Sequence, residues 1–203
     1  PPRSTLFPYT TLFRSNLDSR EISPLDEVPP VADVSSYLTA VTVPVESYNY
    51  TTSLTTYDSL GNPITATYYF VRDSGTPSPN TWTVYSRLST DVVDDPANPG
   101  SKIVNVPMQV LGTLPFTENG KIDATALAAT PLQPIVRTGV ELGTGAGAIS
   151  IETDMNKSTQ FGSAFAVTEL LQDGYTTGQI TGLVTTRDGI VQGRYSNGQT
   201  KDI

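Results

Sequence analysis

Between Tyr50 and Leu88 the chain repeats one pattern, apolar residues at alternate positions separated by turn-forming runs, and that pattern restricts this stretch to β-sheet. In PITATYYFVR, Ile64, Ala66, Tyr68 and Phe70 fall on one face. This is the period of two that a pleated strand imposes and a helix does not keep. The preceding Thr/Tyr-rich run ends in DSLGNP, where Gly61-Asn62 supplies the positive-φ positions of a tight turn, so the two runs predict a hairpin. After SGTPSPN, the run TWTVYSRL sets Trp82, Val84 and Leu88 on one face and Thr83, Tyr85 and Arg87 on the other. Trp82 is the only tryptophan, and the pattern predicts it as a core anchor.

Elsewhere the signals are of the same kind. Val104, Val106, Met108 and Val110 alternate, although Pro107 demotes that run towards an edge or a bulge. Asn119-Gly120 is a strong hairpin signal, and Asp188-Gly189 joins candidate strands 179–186 and 190–195, with Asn197-Gly198 opening another turn. DATALAAT (123–130) suits one short helical turn, while AFAVTELLQ (164–172) fits helix and strand equally. Residues 21–47, with Pro24, Pro29, Pro30 and Pro44 among acids and small residues, predict an extended, loop-like segment with little regular structure before about Val41. No internal repeat is evident. The expectation is antiparallel all-β in two packed units, divided near residues 150–158.

Composition narrows the function classes. Hydrophobic residues are 37% of the 203, with Gly and Pro at 16 each. That is lean but β-rich, and it does not describe a disordered chain. Twenty acidic against twelve basic residues give a net charge of −8, which repels phosphate backbones and offers anionic lipid no polybasic patch. No apolar run approaches the ~18 residues that span a bilayer as a helix. The expectation is no nucleic acid and no membrane insertion. Cysteine and histidine are both absent. Disulfides, thiol nucleophiles, Cys/His metal sites and a Ser-His-Asp triad are therefore excluded.

Residues 1–15, PPRSTLFPYTTLFRS, lack a starting Met, a continuous apolar core and a small-residue cleavage site, so they make a poor export signal. Back-translated, all fifteen codons match a common short-read sequencing adapter. The segment is expected to be a cloning or assembly scar, disordered and outside the fold, with the native chain starting near Asn16. Without Arg3 and Arg14 the native part carries ten positive and twenty negative charges, a net of −10.

Candidate chemistry is sparse. GTGAGA (143–148) fits G-x-G-x-x-A, but it leads into β-branched, acidic AISIETDMN rather than a helix, so a loop is expected. Asp91, Asp94 and Asp95 offer oxygens to calcium without the D-x-D-x-D-G spacing, and solvated carboxylates are the ordinary reading. Paired-carboxylate chemistry has the residue types and no identifiable pair. Asn49-Tyr50-Thr51 and Asn156-Lys157-Ser158 are formal glycosylation sequons, common by chance in such chains. No catalytic, cofactor-binding or metal-binding residue is assigned, and no cofactor. Read from residues alone, the chain is an exported β-rich structural or binding module.

Two stretches carry a resemblance. SYNYTTSLTTYDSLGNPITATYYFVRDSGTPSPNTWTVY (47–85) resembles the opening hairpin of the outer domain of the bacterial flagellar hook protein family, with its T-x-YDS-x-GN turn, YFV strand and W-x-VY strand. STQFGSAFAVTELLQDGYTTGQITGLVTTRDGIVQGRYSNGQ (158–199) resembles the return of that chain into the inner domain, with Ile180 where a leucine is common. NLDSRE (16–21) is similar to the outgoing strand. The resemblance implies two β-barrel- or sandwich-like domains, the outer (22–155) inserted into the inner (16–21 and 156–203), with terminal helices missing. It implies a non-enzymatic, extracellular subunit of the flagellum that polymerises into the flexible tube joining motor to filament. Its partners would be copies of itself and the other axial proteins: rod, hook–filament junction and hook cap. A secreted adhesin-like or carbohydrate-binding β-module, or a related rod protein, stands as the alternative.

Overall fold

The computed structural model describes residues 9–40, 43–75, 80–89, 106–137, 142, 145–172 and 178–203. The predicted hairpin and the strand after it are present. β2 (Tyr50–Tyr57), β3 (Pro63–Arg72), β4 (Thr81–Ser89) and β5 (Gln109–Pro115) form a four-stranded antiparallel sheet in sequence order. Asp58, itself buried, organises the β2–β3 turn: Leu60 N and Asn62 N donate to its Oδ1 at 2.9 and 2.8 Å. Gly61, at φ 85°, takes the backbone conformation that other residues enter at a cost.

A second sheet holds β6 (Ile135–Arg137), β7 (Ile149–Asp154), β1 (Tyr9–Asp18) and β8 (Thr159–Phe161) in that order, with β9 (Ala166–Gln172) also on β1. β1 is its centre. It runs parallel to β7 over Tyr9–Leu12 and to β8 over Asn16–Asp18, while β9 lines its other edge antiparallel from Thr11 to Asn16. The parallel pairings make this sheet mixed, which alternation along single strands cannot reveal.

One expectation needs correction here. Residues 9–15 do not stand outside the fold: they are most of β1. Thr11, Phe13 and Ser15 share a face with the native Leu17, and all four are buried. Phe13 lies 5.7 Å from the Phe70 ring and 6.0 Å from Tyr68. The physical reason is that TTLFRSNL has the inward/outward alternation a central strand needs, whatever the origin of its codons. Residues 1–8 lie outside the described residues.

The two sheets share one core. Leu54, Ile64, Ala66, Tyr68, Phe70, Trp82, Val84 and Leu88 from the meander meet Phe13, Leu17, Ile135, Ile149 and Ile151 from the mixed sheet. Trp82 is fully buried, as its pattern predicts. The helical turn expected in 123–130 is α1 (Ala124–Ala129), capped by Asp123, whose Oδ1 accepts from Thr125 N and Ala126 N. It closes one end of the core through Leu127.

The meander's other face is covered too. The proline-rich leading segment folds as short 3-10 turns at Pro24–Asp26, Val34–Tyr37 and Val45–Ser47. Val34 packs with Val71, Tyr85 and Met108 in a second cluster. Met108 N donates to Leu38 O at 2.7 Å and Arg87 Nη2 donates to Ala40 O, so the segment is strapped to the sheet. Of the predicted alternation 104–110, Val104 lies outside the described residues. Val106 and Met108 enter different clusters and Val110 is exposed, because regular pairing starts only at Gln109.

AFAVTELLQ resolves as strand, since β1 offers it an edge. The division expected near 150–158 does not separate the sheets, because β7, β8 and β9 all join β1. The pairing changes later. β10 (Ile180–Thr185), β11 (Val191–Tyr195) and β12 (Thr200–Asp202) form an antiparallel three-stranded sheet whose strands, among the described residues, pair only with one another. Its turns are the predicted ones, with Gly189 at φ 79° and Gly198 at φ 81°.

Candidate functional site

The densest polar chemistry lies where β1 ends and the chain crosses to the meander. Just past β1, Arg20 folds back on Asp18: Nε donates to Oδ1 at 2.9 Å and Nη2 to Oδ2 at 2.7 Å, with the Arg20 backbone N at 3.0 Å from Oδ1. Those bonds hold the Asp18 carboxyl down at about 2. Arg72, the last residue of β3, is 4% exposed. Its Nη1 donates to Ser19 O at 2.5 Å and Glu21 O at 3.0 Å. Burial holds its guanidinium below its ordinary range.

Neighbours complete a clamp. Asn49 accepts from Arg72 N at 2.8 Å and donates to Ile22 O at 2.8 Å, bridging β3 to the crossing segment. The Tyr50 hydroxyl donates to Glu21 Oε1 at 2.8 Å, and burial first, then that carboxylate, pushes its ionisation up. The Tyr50 ring stacks between Phe165 (4.4 Å) and Trp82 (5.7 Å), and the Arg72 guanidinium carbon lies 5.8 Å from the Trp82 ring centre. Trp82 Nε1 donates to Gln160 Oε1 on β8 at 3.2 Å, and Gln160 Nε2 to Asn80 at 3.3 Å. Strands of both sheets are thus tied through one cluster. Most of its groups satisfy one another, the buried Arg72 Nε being left without a hydrogen-bond partner, so the cluster holds geometry instead of activating a nucleophile.

Sequence reasoning found Trp82 and missed the rest of the clamp. The available signal was Arg72 closing the apolar run YYFVR: a cation at the end of a buried strand needs carbonyls or carboxylates, and 18–22 supply them. The candidate motifs behave differently. Of GTGAGA, Gly143 and Thr144 lie outside the described residues. The remainder runs straight into strand β7, and Gly147 N donates to Ser59 Oγ at 3.0 Å, so no helix N-terminus faces a phosphate site there. Asp91, Asp94 and Asp95 lie outside the described residues. Asn49 is committed to the clamp, and Ser158 of the second sequon is buried with its Oγ accepting from Ser15 N at 3.3 Å. Among the described residues no three acidic side chains gather as a metal site. A depression of about 560 Å³ beside α1 has Leu127, Leu132 and Met155 on its lining with Glu152 and Asp154.

The family described as "Flagellar basal body protein FlaE D2 domain" matches residues 16–175. The flagellar hook protein FlgE of Salmonella typhimurium is 30% identical over 154 residues, covering 76% of this chain and 33% of its own length. The Escherichia coli K12 protein of the same description is 28% identical over 192 residues, covering 95% of this chain and 40% of its own. The chain therefore spans about a third to two-fifths of these relatives. Among solved structures, Helicobacter pylori flagellar hook protein FlgE2 aligns at TM-score 0.43 and 18% identity over 76% of this chain and 31% of that one. A 32 kDa fragment of the Caulobacter crescentus hook protein FlgE aligns at TM-score 0.48 and 18% identity, over 71% and 52%.

Proposed function

The chain belongs to the family of the flagellar basal body protein FlaE D2 domain, and on that premise we propose that it is the β-portion of a flagellar hook subunit. The observation that carries this reading is the family match itself, which begins at Asn16 within β1 and runs past β9, so it takes in the meander, the clamp and the mixed sheet except Tyr9–Ser15 of β1. In this reading the meander and its strap belong to the outer domain, and the chain returns through β10–β12 towards the inner one. Copies polymerise outside the cell into a bent tube that passes torque from motor to filament, next to rod, junction and cap proteins. Such work needs stiff bodies that slide on one another through modest polar contacts and needs no catalysis. The clamp provides stiffness by fixing the crossing segment to β3 at Ser19, Glu21 and Ile22.

The test is a graft. Residues 9–203, which keep β1 whole, replace the matching part of the Salmonella typhimurium hook protein, and the chimera is expressed in cells lacking their own hook protein. Hooks visible by electron microscopy and restored swimming are the expected result. A chimera that is exported and folded but forms no hooks overturns the reading. Rescue of a rod-deficient strain instead would move the chain to the rod.

A further inference from the structure

We propose that the polar depression at the Asp18 end of β1 seats one ring of a neutral pyranose sugar against the half-exposed ring of Phe161. This goes beyond the hook reading and does not depend on copies of the chain meeting.

The depression encloses about 290 Å³ between Ser19 on the crossing segment, the 117–120 turn, Asn80 and β8. Its walls are fixed by backbone bonds. Gly120 N donates to Thr117 O at 2.9 Å, Gln160 N to Gly120 O at 2.8 Å and Ser19 N to Phe161 O at 3.1 Å. Gly120, at φ 70°, brings the turn so close to β8 that a Cβ there would lie 2.8 Å from Cδ1 and Cε1 of Phe161. The ring is held along one edge, and Phe161 remains 47% exposed. The depression lies within the family-matched residues. It is at the opposite end of β1 from the Thr11–Gln172 pairing after which the chain leaves this sheet, roughly 20 Å away along the strand.

The rim selects the ligand. Unlike the clamp beside it, it holds unused hydrogen-bonding groups. Among the described residues Ser19 Oγ, Asn80 Nδ2, the Glu118 carboxylate and the Asn119 amide have no partner. Donors and acceptors therefore stand together next to an aromatic face. Sugar hydroxyls donate and accept at once, and a pyranose with equatorial hydroxyls turns its C–H bonds towards the electron-rich face of a ring it stacks on. The volume is at the low end of small-molecule clefts, ~300 Å³, so it admits one sugar ring and no nucleotide. Glu118 and the net charge of −8 disfavour an anionic ligand. An added peptide strand has no edge to join, because Lys121 and Gly120 already pair with Thr159 and Gln160 along β8.

Nuclear magnetic resonance of the isotope-labelled 203-residue chain, titrated with methyl β-D-glucopyranoside, is the experiment. Saturable shifts are expected at the Gly120 and Phe161 amides and at the Trp82 indole N–H, which is tied to Gln160, with a dissociation constant on the order of 1–10 mM. Methyl β-D-glucuronide should bind about tenfold more weakly, and Glu118→Gln should remove that difference. Phe161→Leu keeps an apolar cover over Gly120 but removes the ring, and should weaken glucoside binding about tenfold with the melting temperature unchanged. Shifts that never saturate, that fall elsewhere on the chain, or that persist unchanged in Phe161→Leu overturn the inference. So does a glucuronide held as tightly as the glucoside by the wild-type chain. The sugar site and the hook role fail separately, since this titration needs no assembly and the graft needs no sugar.

Discussion

β3 carries Ile64-Thr65 just after Pro63 and β10 opens on Ile180-Thr181, and both alternate, yet Ile64 is fully buried and Ile180 is 56% exposed. The difference lies in what each strand meets. β3 is hydrogen-bonded on both edges and covered on both faces, by the mixed sheet and by the strap. Among the described residues β10 has one pairing strand and no layer above its apolar side. A period of two specifies a strand with a preferred face; it does not specify that anything lies opposite that face. Within one chain, the same local code yields a closed core and an open surface.

That contrast can be broken most forcefully at the centre of the mixed sheet. Deleting residues 1–15 removes most of β1 from between β7, β8 and β9, and should abolish the cooperative thermal transition. A melting temperature within error of the full chain would show that Tyr9–Ser15 contribute nothing. Next, Phe13→Ala and Trp82→Ala should each cost about 3–5 kcal/mol in denaturant unfolding, because each removes a fully buried ring from the shared core. Arg72→Met keeps the stem and strands the Ser19 and Glu21 carbonyls, for about 1–3 kcal/mol. Its hydrogen-exchange signature should be faster exchange at the amides of the 19–22 crossing.

Alkaline titration should also act on the body. Burial, then the Asp33 and Asp73 charges, push Tyr85 up to about 12, and burial raises Tyr50 and Tyr68 as well. A group raised in the folded state stabilises fully below its unfolded value, near 10 for tyrosine, and loses that contribution as pH climbs through the folded one. Melting temperature should therefore be flat up to about pH 10 and fall by pH 12. A flat profile throughout would remove the buried tyrosines from the account. Smallest of all, Leu183→Ala on the tail sheet should change the stability of the dilute chain by less than about 0.5 kcal/mol. A larger loss would mean the tail sheet is covered within the chain and the contrast is false.

Much of the β-architecture was readable from residues. The β2–β3 hairpin, the inward row ending in Phe70, buried Trp82, the Asp188-Gly189 turn and the short helix at 124–129 all follow from alternation and turn chemistry. What pairs across long separations did not follow. Residues 9–15 of β1 read as a scar because their codons match an adapter, but the sheet responds only to the alternation of Thr11, Phe13, Ser15 and Leu17. The strap read as a loop because its prolines forbid regular pairing, although Val34 is as buried as any core residue. Arg72 at the end of YYFVR signals that a buried cation needs acceptors, but which ones is set only when Asp18, Asn49 and Gln160 are brought to it by strands far apart in sequence.

β1 also dictates the order in which the protein can be made. Its partners come late: Thr168 Oγ1 donates to Arg14 O across 154 positions, and Ser15 meets Ser158 across 143. A chain delivered N-terminus first therefore holds an unpaired, half-apolar strand until residues near 170 emerge. The β2–β3–β4 meander, by contrast, pairs only between strands adjacent in sequence and can zip as it appears. High contact order at one strand makes closure of the sandwich the slow, final step, and the meander is the template on which it waits.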